Sequence, residues 1–418
     1  SANRLARLNT DGSLDTTFNV GGGANATVRA LTLDGTSIVV GGDFTGPSFG
    51  AAVTNKALSG NVATLTTTGH SLVAGDVVTV SLGDATFDGT FTVLGSPAPT
   101  GTAFSYAKTA ANVAATTVSQ VGLAGLQQQP VSRVARVSSS GALDSAFALK
   151  VGTGPAGSVT AISRQSDGKL WVAGDFVGAG FGVAVSLREA MAANVAELTT
   201  LTAHGLSVGD VAVVSGVNDT ADTSFDGTYT VTQVSSATVF RYVRTVGGVS
   251  AQAAVTPRGS ATKGNRMLAR LARLNSDGSL DSGIATDSGF NAQVNALALQ
   301  TVGSTSYLLA GGDFTSYSGI GGAAHDYLVR LDTGSAAINL AFDLGTGPNA
   351  AINSLVIEPG LGGRTLVAGA FTNFYTQDST NVNLVARINP DGNLDTSFAP
   401  PADRKSTRLN SSHVSESR

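Results

Sequence analysis

The sequence predicts an all-β chain: an array of at least four four-stranded antiparallel sheets, with two small β domains inserted and a ring left incomplete. Three observations predict it. Two short motifs recur along the chain, strand-length apolar runs alternate with Asp-Gly and Asn-x-Asp-Gly turns, and no part of the repeat keeps a 3.6-residue apolar period. Composition agrees. Of 418 residues only 13% are charged, while 52 are glycine and 42% are hydrophobic, a balance suited to a folded chain rich in turns. The formal charge of -4 removes the basic field that nucleic-acid binding needs. No apolar run is long enough to span a membrane as a helix. Cysteine is absent, which excludes disulfides, thiolate metal sites and cysteine nucleophiles.

The first motif reads Arg7-Leu8-Asn9-Thr10-Asp11-Gly12-Ser13-Leu14-Asp15-Thr16-Thr17-Phe18. It returns from Arg136, Arg273, Arg330 and Arg387, closely at 273 and 387 (Gly278 and Gly392 in the turn) and in worn form at 136 and 330. The second motif follows each of the first four copies: Gly41-Gly42-Asp43-Phe44, Ala173-Gly174-Asp175-Phe176, Gly311-Gly312-Asp313-Phe314 and Ala368-Gly369-Ala370-Phe371. Arg273 to Arg330 and Arg330 to Arg387 are both 57 residues apart, which sets the basic unit. Arg7 to Arg136 spans 129 residues and Arg136 to Arg273 spans 137, or 72 and 80 more than that unit.

The surplus segments resemble one another. His70…Asp76, Phe87-Asp88-Gly89-Thr90-Phe91 and Phe104-Ser105-Tyr106 in the first return as His204…Asp210, Phe225-Asp226-Gly227-Thr228-Tyr229 and Phe240-Arg241-Tyr242 in the second. Insertions of this size survive at exposed loops because closure cost grows only with the logarithm of length. The division expected is repeat at 1–55, 123–188 and 261–402, and homologous small β domains at 56–122 and 189–260, placed after blades one and two. The end differs in kind. Asp403 to His413 resembles, over eleven residues, a translated DNA-sequencing adapter, so 403–418 is set aside as an artefactual tail. Removing its four basic and two acidic residues leaves 21 against 27, or -6, and the rest is expected to be an internal piece of a longer acidic protein.

Within a unit, Val28–Leu33 leads through Asp34-Gly35 into Ile38–Phe44, and Leu5–Leu8 leads through Asn9–Gly12 into Leu14–Phe18. These are two hairpins, hence four strands and one antiparallel sheet. One face of the first strand carries Val28, Ala30 and Thr32, the other Leu31 and Leu33, while Ile38-Val39-Val40 is apolar without a break. Such a sheet needs cover on both faces, and Gly41-Gly42 lets a neighbouring backbone approach. Copies of one sheet covering each other describe radial blades, a β-propeller-like array; tandem sandwiches and a β-solenoid are the competing architectures.

The pairing of Arg-Leu-Asn-x-Asp-Gly-Ser-Leu-Asp-x-x-Phe with Gly-Gly-Asp-Phe-Thr resembles the delta-60 repeat, a bacterial β-propeller-like repeat, over about 230 residues. The inserts look like a short all-β module of phage tail and large surface proteins. The resemblance implies a long protein that is secreted or attached to a cell surface.

Candidate chemistry is sparse. Asn9, Asp11 and Asp15, with Asn275, Asp277 and Asp281 and with Asn389, Asp391 and Asp395, space oxygen ligands as a calcium loop would. Arginine stands two residues before each asparagine, where such loops open with a ligand, and Ser140 replaces the middle carboxylate of the second copy. The competing and favoured reading is a hairpin turn whose Asp accepts backbone N–H groups and pairs with Arg. Asp43, Asp175 and Asp313 lack the second acid of a nucleotide-cyclase signature and are read as structural hydrogen-bonding residues, with a shared rim as the alternative. His70 and His204 have no second His, Glu or Cys nearby and are read as turn or packing residues; His325 has no partner at ligand spacing. No phosphate-binding Gly-Lys-Ser/Thr loop is present. Trp171 aligns with Val39 and Leu309 and is expected in the core. No catalytic residue and no cofactor is therefore expected. The function expected is a non-catalytic extracellular or cell-surface scaffold that binds an unidentified protein or glycan. A phage tail component and a polysaccharide-acting propeller enzyme are the alternatives.

Overall fold

A computed structural model describes residues 4–18, 20, 23–45, 51–67, 70, 72, 74–126, 132–152, 154–178, 181–191, 194–200, 203–218, 222–244, 252–255, 259–263, 268–281, 284, 289–317, 320–321, 326–345, 347–375 and 384–398. His325 and the adapter-like tail lie outside the described residues.

Four three-stranded antiparallel sheets carry the repeat. Sheet one is Val28–Asp34, Ser37–Thr45 and Ser132–Val137; sheet two is Val159–Arg164, Leu170–Gly178 and Leu268–Leu274. Sheet three is Val294–Val302, Thr305–Gly312 and Leu328–Asp332; sheet four is Ile352–Ile357, Thr365–Gly369 and Val385–Ile388. The fourth strand of each blade is short, one bridged pair beyond the turn: Val137–Leu143, Leu274–Leu280, Leu331–Ile338 and Ile388–Leu394. Backbone bonds flank that pair, as where Asn275 N donates to Ser279 O and Asp281 N to Arg273 O.

Each arginine strand pairs with the Gly-Asp-Phe strand that precedes it in the chain, in constant register: Val39 with Arg136, Trp171 with Arg273, Leu309 with Arg330, Leu366 with Arg387. A sheet therefore joins the second motif of one copy to the first motif of the next. Each insert consequently interrupts a blade between its second and third strands, instead of following a finished blade. The copy at Arg387 completes sheet four, and the copy at Arg7 forms a separate hairpin, Leu8 bridged to Leu14, ahead of sheet one. Motif order alone does not say which neighbour a strand will pair with, and the frame read from the sequence was offset by one hairpin.

The chain divides into two compact units, Ser1–Val294 and Asn295–Arg418. In the first, sheets one and two meet face to face through Val39, Val134, Val159, Ile162, Val172 and Ala272. Val40, Phe44 and Ala135, on the opposite face of sheet one, pack with Leu5, Phe18 and Val20 of the hairpin segment. The unbroken Ile38-Val39-Val40 run is thus covered on both sides. In the second unit, Ala296 and Leu309 of sheet three share a core with Ile352, Leu355 and Val367 of sheet four.

Glycine sets the approach. A Cβ on Gly41 would lie 2.4 Å from Val159 Cγ1, and one on Gly311 would lie 2.5 Å from Ile352 Cγ2. The next glycine is closed off by backbone: a Cβ on Gly42, Gly174 or Gly369 would lie 2.0, 1.9 or 2.2 Å from the carbonyl oxygen of Thr27, Ser158 or Ala351. Cover is incomplete on the hairpin side of sheet one. Leu31 and Leu33 of sheet one are exposed, because only the hairpin stands on that side among the described residues.

Both inserts are small antiparallel barrels of one topology. The first orders its strands Gly89–Thr92, Val77–Ser81, Val113–Leu126, Ala51–Ser59, Val62–Thr67, Ala103–Ala107, and the Val93–Tyr106 bridge brings the ends together. The second closes through pairing of Val183–Ala190 with Val195–Thr200, and its last strand is split into Gln252–Val255 and Ser260–Lys263. A seven-residue helix, Ser145–Val151, escaped the search for helical period because it is shorter than the window. Asp144 caps its N-terminus through the Phe147 N–H, and Gly152 ends it at φ +64°.

Candidate functional site

The recurring polar residues converge on the turn that ends each blade, so that turn is the first candidate. Positive φ at its last corner, +84° at Gly12, +93° at Gly278 and +101° at Gly392, explains the glycine. Arg7 Nε donates to Asp15 Oδ2 at 2.8 Å, and the same pair recurs as Arg136–Asp144, Arg273–Asp281 and Arg387–Asp395. In the worn copy Asn339 takes the place of the aspartate and accepts from Arg330 Nη2 at 2.8 Å. The guanidinium also covers an aromatic ring: Arg7 on Phe18, Arg136 on Phe147, Arg330 on Phe342 and Arg387 on Phe398, at 4.5–5.1 Å from the centroids. Arg273, whose copy lacks that phenylalanine, lies over Trp171, which is fully buried.

A further bond joins one blade to the next. Arg7 Nη1 donates to Ser139 O at 2.6 Å, Arg136 Nη1 to Ser276 O at 2.7 Å, and Arg330 Nη1 to Pro390 O. Each acceptor is the third residue after the following copy's arginine. In all five copies the arginine ties its own turn to an aromatic ring, and in those at Arg7, Arg136 and Arg330 it also reaches the next turn.

The calcium-type residues are engaged locally. Asp11 Oδ1 accepts the Ser13 N–H and hydroxyl at 2.9 and 2.6 Å, Asp277 Oδ1 accepts those of Ser279, and Asp391 accepts the N–H and Nδ2 of Asn393. Asn9 and Asn275 donate through Nδ2 to Ser13 and Ser279, while Asn389 contributes backbone bonds. The Thr17 hydroxyl and N–H, with Arg7, hold Asp15 down at about 2, well below an ordinary carboxylate. Burial pushes Asp277 up, yet Lys150 and Ser279 hold it too at about 2. Among the described residues no three His, Asp or Glu side chains form a metal cluster. Millimolar calcium is expected to leave the thermal midpoint unchanged; a rise of several degrees would contradict the turn assignment.

Each Gly-Asp-Phe aspartate has a partner within its own unit. Asp43 takes a two-pronged bond from Arg29 at 2.7 Å, Asp175 lies 3.5 Å from Arg270 Nε, and Asp313 accepts from Asn295 Nδ2 at 2.9 Å. Three residues before each motif arginine, Arg4, Arg133, Arg270, Tyr327 and Leu384 all hold φ between 60° and 65°. None is β-branched, as that region demands. Arg4, Arg133 and Arg270 donate from there to the carbonyls of Ala24, Pro155 and Phe290. Residue variety at this position concealed it in the sequence.

In the inserts, Asp88 and Asp226 of the Phe-Asp-Gly motif accept backbone N–H groups from Leu82 and Asp84 and from Gly216 and Val217. Paired cations flank the motif: Lys56 over Phe87 and Lys108 over Phe91 in one barrel, Arg188 and Arg244 over Phe225 in the other. Lys56 pairs with Asp84 and Arg244 with Asp222. The Lys-for-Arg exchange hid this set from motif comparison. His70 and His204 accept the N–H of Leu72 and Leu206 through Nδ1 at 3.0 and 2.9 Å and set their rings edge-on to Phe104 and Phe240. Burial lowers both imidazoles below their ordinary value, favouring the neutral form. Because the unfolded histidines bind protons first, this stability is present above about pH 6.5 and is lost as the pH falls below it. The urea midpoint of the barrels should decline from pH 8 to 5, and the paired H70N and H204N changes, which keep a short acceptor, should flatten that decline. An unchanged slope in the double variant would contradict the assignment.

A family model described as a domain of unknown function (DUF5122) beta-propeller matches residues 1–18, 268–283 and 363–398, the segments that hold the arginine motifs at 7, 273 and 387. No curated protein matches the chain. Among solved structures, the phage phi92 endosialidase aligns at 12% identity with a TM-score of 0.19, over 82% of this chain and 55% of that one. No helix among the described residues is long and apolar enough to cross a membrane. Repeated antiparallel sheets packed in succession within each unit and the match at the motif segments agree, and the chain is an all-β protein built of β-propeller-like blades.

Proposed function

We propose that the protein is a non-catalytic scaffold of delta-60 type, working outside the cell or on a bacterial surface, where it holds binding modules for a protein or glycan. One observation carries this reading. The repeat's recurring polar side chains are engaged in turns and blade-to-blade bonds, while two barrels of one topology are carried at the same junction of two successive blades. Such a frame positions modules and leaves recognition to their variable surfaces.

The test is a screen of the full chain against arrays of bacterial surface glycans and extracellular proteins, with product analysis on every glycan bound. The reading expects saturable binding without cleavage, weakened by substitutions on a barrel surface, such as V208E and T232E, and not by substitutions on the blades. Cleavage of a polysaccharide would overturn it, as would binding that only blade substitutions weaken.

A further inference from the structure

We propose that Phe181 is a latch that fixes the second barrel to sheet two through the helix Ser145–Val151, and that its release lets the barrel swing while both bodies stay folded. The use of such a device rests on the reading of the barrels as recognition modules; its geometry does not. The barrel has a core of its own and leaves the sheet on two strands. From the Ala173–Leu271 pair in the sheet to the Val183–Ala261 pair at the barrel's foot both strands advance ten residues, with Val177–Ala269 and Gly178–Leu268 paired between. A two-stranded ribbon is marginal by itself and twists readily, so it does not hold a barrel at one angle. A third support is needed.

The helix supplies it. Phe181 is 4% exposed and shares a core with Phe147, Val151 and Phe176, its ring edge-on to that of Phe176 at 6.0 Å between centroids. Its N–H donates to Gly154 O at 3.0 Å, and the next residue closes on the helix end, where a Cβ on Gly152 would lie 1.8 Å from Gly182 O. The helix is itself pinned to the turn of sheet two: Lys150 Nζ meets Asp277 Oδ2 at 2.5 Å, and a Cβ on Gly278 would lie 2.7 Å from Phe147 O. The segment before sheet two is lengthened to hold it, since Asp144 to Val159 spans 15 residues where Asp15 to Val28 and Asp281 to Val294 span 13. Phe181 holds φ +60°, a strained position for a bulky side chain that persists only where its surroundings enforce it. One ring, inserted under strain where two folded bodies join, is the point at which they part.

The test is double electron–electron resonance on the full chain, which has no native cysteine to interfere. Spin labels go on S166C, in the exposed turn of sheet two, and on V208C, 65% exposed on the barrel. One narrow distance peak is expected for the parent. F181G removes the ring and relieves the backbone, and G152A breaks the same contact from the helix side. Each should broaden the peak at least twofold while Trp171 fluorescence stays native. A broad peak in the parent, or a narrow one in either folded variant, would overturn the proposal, as would unfolding of both. The labels report position with no ligand present, so this result is independent of the binding screen.

Discussion

Replacing Gly174 by alanine is expected to destabilise the first unit by about 3 kcal/mol or more. The new Cβ would stand 1.9 Å from Ser158 O, a backbone atom, so no rotamer change relieves the clash. Either the strand pair Val159–Arg164 and Leu170–Gly178 opens at that point, losing the bond from Asp175 N to Ser158 O, or the whole entry into sheet two shifts. Trp171, the sole tryptophan, is fully buried three residues away and reports the transition by fluorescence in urea. Gly60 is the control: φ is +58° there but nothing lies within 4 Å, so G60A should cost only about 1 kcal/mol, from backbone conformation alone. A G174A cost no larger than that of G60A would contradict the close approach of Ser158 O to this position.

Arg136→Met should cost about 3 kcal/mol. Methionine preserves the length of the stem while removing bonds to Asp144, to Asp34 at 2.9 Å and to Ser276 O at 2.7 Å, together with the cover over Phe147 at 4.5 Å. Arg164 still holds Asp34 at 2.6 Å, which keeps the loss below that of an isolated buried charge. Arg136→Lys retains the charge but not the planar fork, so it should fall between the two. Because the Ser276 bond crosses from sheet one to the turn of sheet two, the double change R136M/G41V should cost less than the sum of its parts. An R136M variant within about 0.5 kcal/mol of the parent would show that the arginine is retained for some reason other than its bonds.

Much of this was legible in the amino acids. Asn-x-Asp-Gly fixes a hairpin because its glycine must take positive φ, and Val39-Val40 announces a strand buried on both faces. Pairing frame was not legible: the Gly-Asp-Phe strand could close on the arginine motif before or after it, and only packing decides. Leu31 and Leu33 were expected to be covered, since alternation shows that a face is apolar but not whether a neighbour stands on it. The left-handed position at Arg4, Arg133, Arg270, Tyr327 and Leu384 leaves no common residue type, because a long side chain of any polarity tolerates it better than a β-branched one. Of the candidate chemistry, the Arg–Asp pair was readable from an eight-residue spacing along a hairpin. The bond from Arg7 to Ser139, across 132 residues, was not.

The most direct measurement is a nuclear Overhauser experiment on methyl-labelled protein, since it perturbs nothing and reads the approach of one sheet to the next. A Cβ built on Gly41 falls 2.4 Å from Val159 Cγ1 and 2.8 Å from Ile162 Cδ1, so the glycine's Hα on that side must lie close to both methyl groups. Strong cross-peaks from Gly41 Hα to these methyls, and from Gly311 Hα to the Ile352 γ2 methyl, are the expected result. Their absence in a folded sample would contradict face-to-face packing of the repeated sheets.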